Sequence, residues 1–213
     1  MRLCEMPRNL RRYSRLSLPR PSVKIFSIEE VQTHWKDADQ RLRCFMALAL
    51  NAGMGQKDIS DLRMREVDWD RGYIERGRSK TGVRGRYKLW PATLELMQAV
   101  RSPQAHINDD RVFLNANGLP LLRRECVDGK LKFSDAIRNL FWRLQRRTGI
   151  NDGRGFYCLR KSAATEIQRI QATVTEMFLA HAERGMKKHY VEWNWAALDG
   201  VLDQLKEVYA LCV

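Results

Sequence analysis

Apolar residues recur at helical spacing along most of this chain, and one stretch breaks the rhythm. In "VDWDRGYIERGRSKTGVRGRYKLWP", residues 67–91, Gly72, Gly77, Gly82 and Gly85 punctuate short runs containing Tyr, Ile, Val and Trp. That pattern predicts a small antiparallel sheet with an exposed hairpin around residues 80–85, set in a fold that is otherwise mainly α. Before it, Ser27 with Glu30 three residues on forms a capping box. Helical periodicity then runs through "RCFMALALNAG", pauses at "AGMGQ", and resumes in "KDISDLRM". After it, "ATLELMQAV" is helical and "VFLNANGLPL" lies in a loop region. "FSDAIRNLFWRLQRRTGI" reads as an amphipathic helix ending near Gly149. The remainder, "YCLRKSAATEIQRI", "ATVTEMFLAHA" and "AALDGVLDQLKEVYALCV", is helical in pattern. The six tryptophans (Trp35, Trp69, Trp90, Trp142, Trp193, Trp195) are expected to pack in the core and between helices.

Charge narrows the partner. Lys and Arg number 38 against 25 Asp and Glu, a net charge of +13, so a polyanion is the expected partner. No apolar run approaches the roughly 20 residues that span a bilayer, and the first residues lack the apolar core of a signal peptide, so a cytosolic (cytoplasmic) location is expected. The five cysteines are scattered, without CxxC spacing, and read as reduced thiols rather than a disulfide framework or zinc site. Residues 1–24 are rich in Arg with three Pro and no sustained apolar period, the pattern of a basic arm. Residues 25–213 form the folded part. There is no Walker-type GK[ST], hence no signal for nucleotide hydrolysis.

If the polyanion is DNA and the reaction is phosphodiester transfer, the site needs an oxygen nucleophile, cations for the non-bridging oxygens and an acid for the departing sugar oxygen. No carboxylate cluster suited to Mg²⁺ is evident, which directs attention to Arg, Lys and His. Here the sequence resembles the tyrosine recombinases, or phage integrases, over roughly residues 25–195. "FYCLRKSAATEI" looks like the family's His-x-Leu-Arg box. "FLAHAERGMKKHY" looks like its Leu-Gly-His box, with Tyr190 nine positions after His181. "YIERGRSKTGV" is similar to the hairpin that carries the family's catalytic lysine, and "LNAGMGQKDISDLRMREVDW" matches the helix-loop-helix ahead of it.

The resemblance implies a mainly α catalytic domain with a small antiparallel sheet, acting on double-stranded DNA. It implies Tyr190 as the nucleophile that forms a 3′-phosphotyrosyl link and frees a 5′-hydroxyl. Arg160 would clamp the non-bridging oxygens, His181 would hydrogen-bond the phosphate, and Lys80 would protonate the leaving 5′-oxygen. Neither ATP nor a metal is required, and no cofactor is implied. The helical domain that family members carry ahead of the catalytic one is not seen in these residues.

Two positions depart from the family pattern. The first arginine falls at Gly55, with Asp58 three residues on. The histidine before Leu-Arg is Tyr157, whose hydroxyl donates a hydrogen bond but, with an ordinary pKa of about 10, is no base near neutrality. Compensation is expected from backbone N–H groups at Gly53 and Gly55 and from Lys57, Arg84 or Arg86 as DNA-binding groups. Two rival readings are a catalytically degenerate recombinase-fold DNA-binding protein and an unrelated nucleic-acid-binding scaffold without a converged cationic site. In the last segment, residues 196–213, Leu198, Val201, Leu202, Leu205 and Val208 or Tyr209 share one helical face. Two destinations stay open for that stripe: a neighbouring protomer, giving a homo-oligomer on DNA, or the chain's own core.

Overall fold

The computed structural model describes residues 22–77, 82–103, 110–127, 129–181 and 193–211. Residues 1–21, most of the expected basic arm, lie outside them.

Helix α1 (Ile28–Asp37) starts where the capping box places it: Ser27 Oγ accepts from the Glu30 N–H at 3.2 Å, and the Glu30 carboxylate accepts from the Ser27 N–H at 2.8 Å. Asp39 caps α2 (Gln40–Asn51) by accepting from the Leu42 N–H at 2.8 Å. Residues 44–51 of α2 are all buried, so this helix is the axis of the core. Gly53, at φ +59°, ends it in the left-handed region; a Cβ there would lie 3.0 Å from Phe178 Cζ, so the position also needs the close approach that only glycine allows. The expected second helix, α3 (Gln56–Ser60), is five residues long, shorter than "KDISDLRM" suggests, because the chain turns into a 3₁₀ segment at Met64–Glu66.

The predicted sheet is present as β1 (Val67–Asp68), β2 (Tyr73–Gly77) and β3 (Arg84–Lys88), antiparallel in the order β1-β2-β3. Ile74 pairs with Tyr87, and both are buried. Asn51 ties the sheet to α2: its side chain donates to the Lys88 carbonyl at 2.9 Å and accepts from the Trp90 N–H at 2.8 Å. Helix α4 (Pro91–Val100) follows with Pro at its first position, where the missing N–H costs nothing.

A second, two-stranded sheet was not anticipated. Strands β4 (Leu122–Val127) and β5 (Lys130–Asp135) form an antiparallel hairpin, and "FSD" belongs to β5 rather than to the helix after it. Helix α5 (Ala136–Thr148) begins with Asp135 as its cap and ends at Gly149, as expected. On its outer face Trp142 is 48% exposed, a correction to the expectation that every tryptophan packs inside: it stands on the solvent side of the amphipathic period, covered in part by Arg146. Helix α6 (Tyr157–Gln171) then crosses α2 and is followed by a 3₁₀ turn, the short α7 (Thr175–Phe178) and finally α8 (Trp195–Tyr209).

The apolar stripe of α8 is buried within this chain. Leu198, Val201, Leu202, Leu205 and Tyr209 are at most 1% exposed. Polar contacts seat the helix: Trp90 Nε1 donates to the Leu202 carbonyl at 2.8 Å, Lys88 pairs with Asp203 at 2.7 Å, and Gln32 donates to the Tyr209 carbonyl at 3.0 Å. Of the two candidates for the last stripe position, Tyr209 faces inward. Among the described residues no helix is long and apolar enough to cross a membrane. Cys44, Cys126 and Cys158 carry free thiols.

Two features of this packing have measurable consequences. His34 is fully buried, edge-on to Phe26 and Phe141, with Nδ1 3.1 Å from Thr148 Oγ1. Burial holds its pKa below the ordinary imidazole value. The unfolded chain therefore takes up a proton near pH 6.5 that the folded chain refuses, so the stabilising contribution is complete above about pH 6.5 and is lost as pH falls through the window below it. Urea unfolding at pH 7 and pH 5.5 should show this loss, and His34→Leu should flatten that part of the profile. The end of α7 closes on Ala180 at φ +44°, with the Ala180 N–H bonded to the Met177 carbonyl and the His181 N–H to the Glu176 carbonyl, both at 3.0 Å. This is a Schellman cap with alanine where glycine is unstrained. Ala180→Gly should raise the unfolding free energy by about 1 kcal/mol, read from the same denaturant curves.

Candidate active site

Arg160, in the first turn of α6, is the centre of the site. The helical period turns it inward beside Leu159 and Ala163, and only 3% of it is exposed. Burying a guanidinium is costly unless its charge is met. Here Nη1 donates to the Gly53 carbonyl, Nη2 donates to the Leu179 carbonyl at 2.7 Å, and the Asp58 carboxylate stands 4.0 Å away. One side chain thus joins the turn after α2, the N-terminus of α6 and the end of α7.

That junction fixes His181. It follows Leu179 by two residues, through the left-handed Ala180, and its Nδ1 lies 2.9 Å from Glu176 Oε2. A carboxylate only accepts, so Nδ1 carries the hydrogen, and Nε2 donates to a further acceptor only when the ring is protonated. Tyr157, Arg160 and His181 line one open groove of about 370 Å³, together with Lys161, Gln168 and Leu179. Three of the sequence-predicted site residues therefore meet. The other two, Tyr190 and Lys80, lie outside the described residues.

Tyr157 is 41% exposed, with Lys161 Nζ 5.9 Å from its ring centroid. Its ring covers Gly55: a Cβ built at residue 55 would stand 3.2 Å from both Tyr157 Cδ2 and Cε2. The two departures from the family pattern are thus in contact, and a Cβ at 55 would require the tyrosine ring to give way slightly.

Of the compensating groups expected from the sequence, Gly53 stands at this junction through its carbonyl, while the side chains of Lys57, Arg84 and Arg86 are engaged elsewhere. The Gly55 N–H is taken by Asp58 Oδ2 at 3.0 Å, so it is not the open anion donor expected there. Lys57 pairs with Asp61 at 2.5 Å on an exposed edge of α3. Arg84 bonds to Glu75 on the sheet. Arg86 stacks on Tyr73, 4.1 Å from its ring centroid, and reaches Asp199 of α8 at 3.4 Å. These arginines brace the sheet against its neighbours instead of turning towards Arg160.

Sequence reasoning missed Arg76. Two residues beyond buried Ile74, it falls on the inward face of β2, and its side chain is 8% exposed. Its Nη1 donates to the Asp58 carbonyl at 2.5 Å, and its Nε is 3.8 Å from Glu66 Oε1. With Arg160, Asp58, Gly53, Tyr87 and Ala180 it lines a second cavity, of about 20 Å³. The signal was available, since strand alternation points an arginine at 76 towards the core.

Comparison with known proteins agrees with this architecture. The chain is similar in structure to the integrase from mycobacterium phage Brujita: TM-score 0.63, 13% identity, 92% of this chain and 66% of that one covered. It is also similar to the XerA recombinase, with TM-score 0.61 and 17% identity over 89% of this chain and 66% of that one. A lambda integrase tetramer bound to a Holliday junction matches with TM-score 0.58 and 18% identity, over 89% of this chain and 55% of that one. The chain therefore spans about two thirds or less of the length of these three. No curated protein matches it. The family model of the phage integrases matches residues 24–196, most of the sequence, and the chain belongs to the phage integrase family.

Proposed function

We propose that this chain is the catalytic part of a site-specific recombinase that breaks and rejoins double-stranded DNA through a phosphotyrosyl intermediate. The observation that carries the reading is the buried Arg160 guanidinium, held at the junction of three segments beside His181 and Tyr157 on one open groove. In an ordinary core an arginine is a poor choice for such a place; at the floor of a groove it is the group that meets a phosphate.

In the reaction, Tyr190 Oη attacks a DNA phosphorus, its phenolic proton passing to water, and the bond from phosphorus to the 5′-oxygen breaks. Lys80 supplies the proton to that oxygen, and a 3′-phosphotyrosyl link remains. Arg160 takes the charge on the non-bridging oxygens, His181 hydrogen-bonds the phosphate, and the Tyr157 hydroxyl donates one further hydrogen bond. Rejoining runs the same steps backwards with a new 5′-hydroxyl, so the energy of the phosphodiester is conserved in the covalent link and no cofactor enters. The net charge of +13 provides non-specific affinity for the DNA backbone that weakens steeply as salt rises. Residues 1–24 act as a basic arm along that backbone. Helix α8 docks in cis, so assembly of several copies on DNA uses other surfaces or residues outside those described.

A nicked suicide duplex tests the reaction: the parent should accumulate a covalent protein–DNA adduct on denaturing gels, and Tyr190→Phe should form none. Absence of the adduct with the parent, DNA binding being intact, would leave a recombinase-fold DNA-binding protein. The packing of Tyr157 over Gly55 gives a second expectation. Gly55→Arg alone should raise adduct yield less than Gly55→Arg combined with Tyr157→His, because a Cβ at 55 presses on the ring at 3.2 Å; an equal rise with the single change would show the ring yields freely.

A further inference from the structure

From the way Glu176 grips His181 we infer that Glu176 is a positioning residue, which sets His181 as the proton acceptor of the site in place of the residue at 157. This rests on the reading above.

Strand cleavage by a phenol releases a proton, and a base near neutral pH is needed to take it up. The residue that the family pattern puts two positions before Leu-Arg is here Tyr157, and a phenol hydroxyl is no such base. The titratable and charged side chains on the groove are Tyr157, Arg160 and Lys161 from α6, with His181 after α7. Arginine and lysine ordinarily keep their protons at neutral pH, so the imidazole is the group with a lone pair to offer.

Glu176 holds His181 at two points. Its backbone carbonyl accepts from the His181 N–H at 3.0 Å, the longer-range bond of the cap that closes α7, and its Oε2 lies 2.9 Å from Nδ1. The first bond fixes where the residue leaves the helix, and Arg160 steadies the same loop by donating to the Leu179 carbonyl at 2.7 Å. The second bond fixes the ring. With the hydrogen on Nδ1, the neutral imidazole carries its free lone pair on Nε2, which is then a proton acceptor. The His181 and Glu176 side chains are 41% and 61% exposed, so water reaches the pair.

The proton balance follows from that tautomer. On attack, the phenolic proton passes to water and from that water to Nε2, while the bond from phosphorus to the tyrosine oxygen forms and the bond to the 5′-oxygen breaks. The imidazolium keeps Nδ1–H on the ionised Glu176 carboxylate and gains an N–H at Nε2. That new N–H donates to the phosphate as charge gathers on its non-bridging oxygens. Rejoining returns the Nε2 proton to the tyrosine oxygen by the same route. Glu176 takes no proton itself and acts through the ring.

The test uses the full chain. Proton–nitrogen NMR spectra at about pH 8, with the His181 signals assigned through His181→Gln, should place the hydrogen of the neutral ring on Nδ1. Glu176→Ala should move it to Nε2 in much of the population. At saturating nicked duplex, Glu176→Ala should slow adduct formation about tenfold, and Glu176→Gln, whose side-chain oxygen still accepts from Nδ1, should slow it less. DNA affinity should not fall, since losing a carboxylate removes no attraction for a polyanion, whereas a collapsed loop would weaken binding and rate together. Imidazole added to His181→Ala should restore part of the rate, in proportion to its neutral form as pH is varied. A hydrogen on Nε2 in the parent, a tautomer unmoved by Glu176→Ala, an unchanged adduct rate in that variant, or rescue that follows the imidazolium overturns the assignment. Failure of the reading above looks different: a parent that forms no tyrosyl adduct, with a tautomer that still depends on Glu176, loses strand cleavage and keeps the hold of Glu176 on the ring.

Discussion

The fold around the groove depends on one buried charge. Arg160 sits where the turn after α2, the first turn of α6 and the end of α7 meet, and its two nitrogens bind carbonyls from the first and last of these. Leaving a buried cation without partners costs about 3–5 kcal/mol, so these loops are under pressure to present their carbonyls inward. Gly53 allows this on one side, by taking a left-handed conformation against Phe178; Ala180 does so on the other, at the expense of strain. Once both carbonyls are in place, the residue after Ala180 is His181, and its position follows from the bond that holds Leu179. A site built this way is pre-organised by core packing rather than by the groove's own surface.

The sheet solves a different electrostatic problem. A chain with net charge +13 carries much self-repulsion, and β3 presents Arg84, Arg86 and Lys88 in five residues. Helix α8 answers with Asp199 and Asp203, one turn apart on the side facing β3, and Glu75 answers from β2. Tyr73 Oη adds a bond to Asp199 at 3.1 Å. These pairs are partly exposed, and each contributes little alone. Their effect is one of orientation: they hold α8 in cis over the sheet while its apolar stripe fills the core. The same contacts commit Arg86 and Lys88 to the fold, and of the basic groups on β3 the Arg84 side chain is the most exposed, at 72%.

Much of this was legible in the sequence because it is local. The capping box at Ser27, the break at Gly53, the Gly-punctuated sheet and the stop at Gly149 each rest on neighbours a few residues apart. The β4-β5 hairpin was also local, with Asp128-Gly129 between alternating residues, but its strands read "RRECV" and "KLKFS", too polar to register as a buried face, and Leu131 and Phe133 are exposed. Arg160 could be marked because an arginine among apolar helix positions demands a partner; which partners, two carbonyls 107 and 19 residues away, is a tertiary fact. Arg76 was passed over for the complementary reason. A strand with Glu75 and Arg76 side by side looks solvated until strand pairing fixes which of the two faces inward.

The contact between Tyr157 and Gly55 changes how the two departures from the family pattern are to be understood. Taken singly, a missing side chain at 55 is a lost charge and a tyrosine at 157 is a lost base. In the fold they are one packing event: a Cβ at 55 would press on the ring at 3.2 Å, and the ring gains its seat because that Cβ is absent. Substitutions in contact are not independent, so neither position is to be weighed as a separate defect.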